Sequence, residues 1–214
     1  MRELFLFPFG GNAKEALGVV AAINAQAPTY QLLGFVDDNP QTHGRQFAGT
    51  PVLGGRGLLE RHPQALVLAV PGRPENFRRR LAIIDSLGLD PQRLATLVHP
   101  AAHIGPEVSI GRNCLIMAGV VLTAQVTIGD HCVILPNTVI SHETVVERGC
   151  LIGSNVSVSG GVVIGEQCYL GSGCRIIQEV AIGAGTLVGL GAVMIRSCGP
   201  ASVLAGNPAR PLAK

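Results

Sequence analysis

Residues 128–152 read IGDHCVILPNTVISHETVVERGCLI, and Ile128, Ile134, Ile140, Val146 and Ile152 stand six apart. The same spacing extends in both directions through Ile104, Ile110, Ile116, Leu122, Val158, Ile164, Leu170, Ile176, Ile182, Val188 and Met194 without a break. Four residues after each aliphatic comes a small or β-branched residue, as in Cys114, Val120, Val126, Cys132, Thr138, Thr144 and Cys150. Glycine often follows the aliphatic directly, as in Ile128-Gly129 and Ile164-Gly165. A period of six with turn-forming glycine predicts a parallel β-helix, in which short strands stack coil on coil around one continuous core. With three hexads to a coil, residues 104 to 194 make five coils, and residues eighteen apart lie above one another at roughly 4.8 Å.

The stacking assigns the cysteines. Cys114, Cys132, Cys150, Cys168, Cys174 and Cys198 all fall at the small inward position, the first four in one column, so they read as buried thiols and not as bridges or ligands. A second column, Leu115, Val133, Leu151, Tyr169 and Leu187, lies between the inward sites and points outward. An apolar stripe of that length implies a covering partner, and a closed cyclic homo-oligomer packed through it is the expectation, with a covering C-terminal segment as the alternative. The other outward columns, Val121, Val139, Ser157, Arg175, Val193 and Ser109, Thr127, Val145, Val163, Ala181, are smaller or more polar.

Composition removes several classes of function. In 214 residues, 47% apolar content supplies a core and excludes disorder. Sixteen Lys and Arg against fourteen Asp and Glu leave +2, too little field to gather nucleic acid or an anionic membrane. No apolar run reaches the length of a membrane span, and Leu4-Phe5-Leu6-Phe7-Pro8-Phe9 lacks the basic front and cleavage-like exit of a leader, so a soluble cytoplasmic protein is expected.

The first hundred residues read as an α/β unit: strand Glu3 to Phe7, glycine turn Gly10-Gly11, helix Ala13 to Ala25, strand Gln31 to Val36 ending in Asp37-Asp38, strand Ala65 to Val70, helix Glu75 to Leu87, and strand Leu94 to Val98. The expected division is 1–100 as a Rossmann-like βαβ domain and 101–214 as the β-helix. Gly10 and Gly11 open a helix whose first N–H groups attract phosphate or ribose oxygens. Pro8 occupies the place of the first glycine of a dinucleotide fingerprint, and no third glycine follows, which disfavours NAD or FAD. Asp37 or Asp38 could bond a ribose or base from its strand end, or simply form a solvated turn.

His142-Glu143 falls at a coil corner, and eighteen residues on the next coil carries Gly160-Gly161. A near-neutral base beside a carboxylate, with bare backbone stacked against it, suits general-base chemistry, with the Gly160 N–H facing developing negative charge; a surface His-Glu pair at a turn is the alternative.

Four stretches together resemble the hexapeptide acyltransferases related to sialic acid O-acetyltransferase and UDP-bacillosamine N-acetyltransferase: Phe9-Gly10-Gly11-Asn12-Ala13-Lys14-Glu15, Val36-Asp37-Asp38, Ile140-Ser141-His142-Glu143 and Ala205-Gly206-Asn207-Pro208-Ala209. The resemblance covers nearly the whole chain. It implies left-handed coils, a trimer, acetyl-CoA in a groove between subunits, and a nucleotide sugar held by the front domain through Gly10, Gly11, Asn12, Asp37 and Asp38. It implies His142 as base toward an amino sugar, Glu143 beside it, Gly160 at the oxyanion, and Gly171, Ser172, Gly189, Leu190 and Gly191 along the pantetheine, with no metal. Pro8-Phe9, Asn12, Pro71-Gly72-Arg73-Pro74 and Leu151 depart from the family pattern. The expectation is N-acetylation of a nucleotide-linked amino-deoxy sugar, with O-acetylation of a sugar as the alternative. A zinc enzyme of the carbonic-anhydrase type, requiring His103, His131 and His142 to converge, and a non-catalytic binding protein are more remote readings.

Overall fold

A computed structural model describes residues 1–212, so Lys214 and its neighbour at the end of the expected second domain lie outside the described residues. The chain folds as an α/β front domain followed by a left-handed β-helix.

In the front domain, β1 (Arg2–Phe7), α1 (Gly11–Gln26) and β2 (Tyr30–Val36) form the first crossover unit, with β1 and β2 parallel. A short hairpin of β3 (Gln46–Phe47) and β4 (Thr50–Gly54), a turn of helix α2 (Gly57–Arg61) and β5 (Leu66–Ala69) complete a sheet of order β3-β4-β2-β1-β5. The segment expected to be one helix from Glu75 to Leu87 is instead a 3-10 turn at Phe77–Arg79 followed by α3 (Arg80–Asp85). The expected strand from Leu94 shortens to β6 (Leu97–Val98), which leaves the front sheet and pairs with Leu115–Ile116 of the helix.

The prism has three faces. β6 heads the first, followed by Leu115–Ile116, Val133–Ile134, Leu151–Ile152, Tyr169–Leu170 and Leu187–Val188; Val203–Ala205 extends it. The second runs from His103–Ile104 through Val121–Leu122, Val139–Ile140, Ser157–Val158 and Arg175–Ile176 to Val193–Met194. The third runs from Ser109–Ile110 through Thr127–Ile128, Val145–Val146 and Val163–Ile164 to Ala181–Ile182. The pairings between successive coils up to Val193–Met194 are in register at eighteen residues, and the added Val203 strand pairs with Leu187 at sixteen. The corners share one conformation: Glu107, Asn113, Gln125, His131, Asn137, Glu143, Asn155, Gln167 and Glu179 all have φ between 52° and 64°, and glycine takes the same place at Gly119, Gly149, Gly161, Gly173, Gly185 and Gly191. The six-residue period is thus a strand pair plus a turn that needs one left-handed residue. Cys114, Cys132, Cys150, Cys168 and Cys174 are buried, Cys198 is half-buried, and none is bridged.

The outward stripe requires a correction. Leu115, Val133 and Leu151 are 0%, 0% and 6% exposed, and with half-buried Tyr169 and Leu187 they join a core that includes Leu4, Leu6, Ala16, Val20, Val70 and Phe77. The chain's own front domain covers the first face, so this stripe is an internal joint and not an oligomer interface. The other faces stay open, with Val139 and Val163 exposed. Among the described residues no helix is long and apolar enough to cross a membrane.

Candidate active site

His142 and Glu143 sit at the corner between the second and third faces. The left-handed Glu143, φ 59°, turns the chain so that its carboxylate oxygen lies 3.0 Å from His142 Nδ1. An Nδ1–H donating to this carboxylate leaves the Nε2 lone pair as the basic position. The ring lies over Gly160 of the next coil: a Cβ there would fall 2.5 Å from Nε2 and 2.9 Å from Nδ1, so only glycine admits this placement. Gly161 N–H donates to the His142 carbonyl at 2.9 Å and the Gly160 carbonyl accepts from Glu179 N–H at 3.0 Å, while the Gly160 N–H has no backbone partner among the described residues. These groups line an open groove of about 410 Å³ with Ser159, Gln178 and Glu179. Sequence spacing brought His142, Glu143 and Gly160 together, and the structure does the same.

A second, larger cavity of about 510 Å³ lies where the front domain meets the first face. Gly10, Gly11, Asn12, Asp37 and Asp38 all line it, together with Phe9, the Pro71–Pro74 segment, Asn76, Leu151 and Tyr169. A Cβ at Gly10 or Gly11 would meet nothing within 4 Å, so their bareness serves no internal packing and leaves the start of the 16-residue α1 open to the cavity. Asn12 donates to the Val70 carbonyl at 3.2 Å. The acidic pair is less available than its sequence suggested. Asp37 accepts from the N–H groups of Phe9 and Asn39, both at 2.8 Å, and Asp38 forms an ion pair with Arg56 that holds its carboxyl below the usual range. Positive charge gathers at Phe9, with Lys14 Nζ 4.2 Å and the Arg45 guanidinium 5.7 Å from the ring centre. Of the lining residues that sequence reasoning leaves out of the site, Arg73 stands only in the stretch that departs from the family pattern, Tyr169 only in the outward stripe and Asn76 in no motif; tertiary packing brings them to the cavity.

Gly171, Ser172, Gly189, Leu190 and Gly191 stand at a third place, the corner between the first and second faces. Ser172 and Leu190 stack on successive coils there, neither N–H has a backbone partner among the described residues, and Leu190 is 74% exposed. A single chain therefore does not unite the three sets: the cavity lies on the first face and His142 on the corner opposite it. His103, His131 and His142 do not converge, and among the described residues no group of three His, Cys, Asp or Glu side chains could share a metal ion.

The family model described as bacterial transferase hexapeptide (six repeats) matches residues 107–142, 125–160 and 143–178. No curated protein matches the chain. Among solved structures, the acetyltransferase domain of PglB from Neisseria gonorrhoeae FA1090 is 30% identical, covers 99% of this chain and 100% of its own, and superposes with a TM-score of 0.86. PerB from Caulobacter crescentus, solved with CoA and GDP-perosamine, is 27% identical over 100% of this chain and 98% of its own, TM-score 0.86. WeeI from Acinetobacter baumannii AYE, at 22% identity over 99% of this chain and 100% of its own, shares the fold, TM-score 0.81. The likeness to the PglB domain extends over both the front domain and the coils, and with it the chain belongs to the hexapeptide-repeat sugar acetyltransferase family.

Proposed function

We propose that this enzyme transfers the acetyl group of acetyl-CoA to the amino group of a nucleotide-linked amino-deoxy sugar. One observation carries the reading: an imidazole tied at Nδ1 to a carboxylate, lying on a glycine whose N–H is unpaired among the described residues, beside an open groove. Nε2 accepts the proton of the amine as its nitrogen attacks the thioester carbonyl, and Glu143 stabilises the resulting imidazolium. Gly160 N–H donates to the carbonyl oxygen as it gains negative charge. Collapse of the tetrahedral species breaks the C–S bond, and the imidazolium returns its proton to the departing thiolate.

The nucleotide sugar occupies the front cavity, whose open helix start suits a diphosphate, with Lys14 and Arg45 gathered on the ring of its lining residue Phe9. Ser172 and Leu190 offer backbone N–H groups to the pantetheine of acetyl-CoA. Since the cavity and His142 lie on opposite sides of one prism, the working site combines two copies in a homotrimer, the front cavity of one protomer facing the His142 groove of its neighbour. The relatives support this substrate class: PerB is described as bound to CoA and GDP-perosamine, and the PglB domain to acetyl coenzyme A.

The test is thiol release from acetyl-CoA against UDP-, dTDP- and GDP-linked 3-amino and 4-amino sugars, with His142→Ala alongside. Release is expected with one nucleotide sugar. The variant is expected to lose about 10²- to 10⁴-fold in kcat with KM values little changed. Near-normal kcat in His142→Ala removes the mechanism; silence across the panel with the oligomer intact removes the amino-sugar substrate.

A further inference from the structure

The wall of the front cavity formed by Pro71–Pro74 is tied to the β-helix by a buried polar seam. Asn113, at a left-handed corner of the first full coil and 0% exposed, clamps the end of β5 from both sides: its Oδ1 accepts from Ala69 N–H at 2.7 Å and its Nδ2 donates to the Ala69 carbonyl at 2.6 Å. That pairing fixes the amide orientation, and the second Nδ2 hydrogen points to His131 Nδ1, 3.1 Å away. Arg80, the first residue of α3, is also 0% exposed; it donates to the Pro71 carbonyl and to the His131 carbonyl, both at 2.6 Å. Between them Gly72, φ +137°, passes so close that a Cβ would fall 2.8 Å from Leu151 and 2.9 Å from Arg80.

A fully buried guanidinium ordinarily has a carboxylate partner, because desolvating the charge is costly. Arg80 has none among the described residues, and its Nε is unpaired as well. Burial lowers its pKa only to about 10, so it stays charged at neutral pH. An apolar side chain would fill this volume at lower cost. What the guanidinium does instead is join two carbonyls, one on the cavity wall and one on the coil beneath it, which a shorter or apolar group does not span.

We propose that Arg80, seated with Asn113 and His131, is a positioning residue that sets the Pro71–Gly72 wall of the front cavity against the β-helix and thereby sets affinity for the nucleotide part of the substrate. The inference rests on the reading of that cavity as a nucleotide-sugar site. Arg80 touches no reacting atom, so the chemical step at His142 stays unaffected.

The experiment compares wild type with Arg80→Met and Arg80→Lys in the full-length oligomer. UDP, GDP and dTDP are titrated calorimetrically, steady-state kinetics are taken with the active nucleotide sugar, and amide hydrogen exchange is followed over residues 69–76. Arg80→Met is expected to weaken nucleotide binding by about 10- to 100-fold, the usual loss when a support behind a binding site is removed. KM for the nucleotide sugar rises by the same factor, while kcat at saturation and KM for acetyl-CoA hold. Exchange over 69–76 accelerates. Arg80→Lys, which keeps the charge but reaches only one carbonyl, falls between the two and carries the test if Arg80→Met does not fold. Wild-type affinity and exchange in a folded variant overturn the inference, as does a drop in kcat with unchanged KM. Failure of wild type to bind any of the three nucleotides, with exchange still accelerated in the variants, overturns the nucleotide reading of the cavity while leaving the seam itself demonstrated.

Discussion

At the scale of single residues, the placement of His142 depends on what Gly160 lacks. A methyl group at position 160 would press into the face of the imidazole, 2.5 Å from Nε2, and the ring is the only part able to yield because the stacked backbone around it is held by ladder hydrogen bonds. Gly160→Ala is therefore expected to keep the fold, since the side chain at 142 is 63% exposed and free to swing outward. The swing takes Nε2 out of line with the groove, and displacement of a catalytic group by about 1 Å costs on the order of 10²-fold in rate. Thermal denaturation and kcat measured together check this. An unchanged Tm with a kcat loss of that order is the expected pair, whereas full activity would mean that the ring position seen here is not the working one.

At the scale of elements, the face that carries Leu115, Val133 and Leu151 bears its load inside one chain. Leu115→Ala removes a fully buried side chain from the joint between front domain and prism and is expected to destabilise by about 2–5 kcal/mol while leaving the oligomer mass unchanged. Denaturant melts and light scattering separate the two effects; a loss of association without loss of stability would return the stripe to an interface between copies. The sequence made the prism readable because each corner repeats one requirement, an inward aliphatic and a left-handed turn residue six apart, and vertical neighbours such as His142 and Gly160 follow from the eighteen-residue coil by counting. The alternation separates inside from outside on a coil but carries nothing about what covers an outward face, and that is why the stripe suggested a second copy. The seam is hidden for the same reason. Arg80 looks like its neighbours in Arg78-Arg79-Arg80, and its partners lie 9 and 51 residues away. The helix expected from Glu75 begins only at Arg80, preceded by a 3-10 turn that lets Phe77 and Arg80 both reach the joint.

Across the whole molecule, the two domains are joined at a titratable residue, and that gives the joint a pH dependence. His131 receives its hydrogen bond at Nδ1 from Asn113, a contact that requires this nitrogen to be unprotonated. Burial is the chief cause holding its pKa below 6.5, and the nearby Arg80 charge acts in the same direction; Asp130 and Asp85 oppose both, with a smaller contribution from Cys132. In the unfolded chain the ring takes up a proton near its ordinary value of about 6.5. The unfolded state thus binds more protons than the folded state as the pH falls below that value, so the stability contributed by the neutral ring is complete above about pH 6.5 and drains away toward the lower folded-state pKa, beneath which no more is lost. Carboxylates elsewhere impose their own slope in acid, and a comparison with His131→Gln removes it, since glutamine can still accept from Asn113 but does not titrate. Denaturant melts at pH 8, 6.5 and 5 are expected to show the wild type losing stability relative to the variant mostly across the lower interval. A difference that stays constant over all three values would mean that the ring titrates alike in both states and that the joint is indifferent to acid.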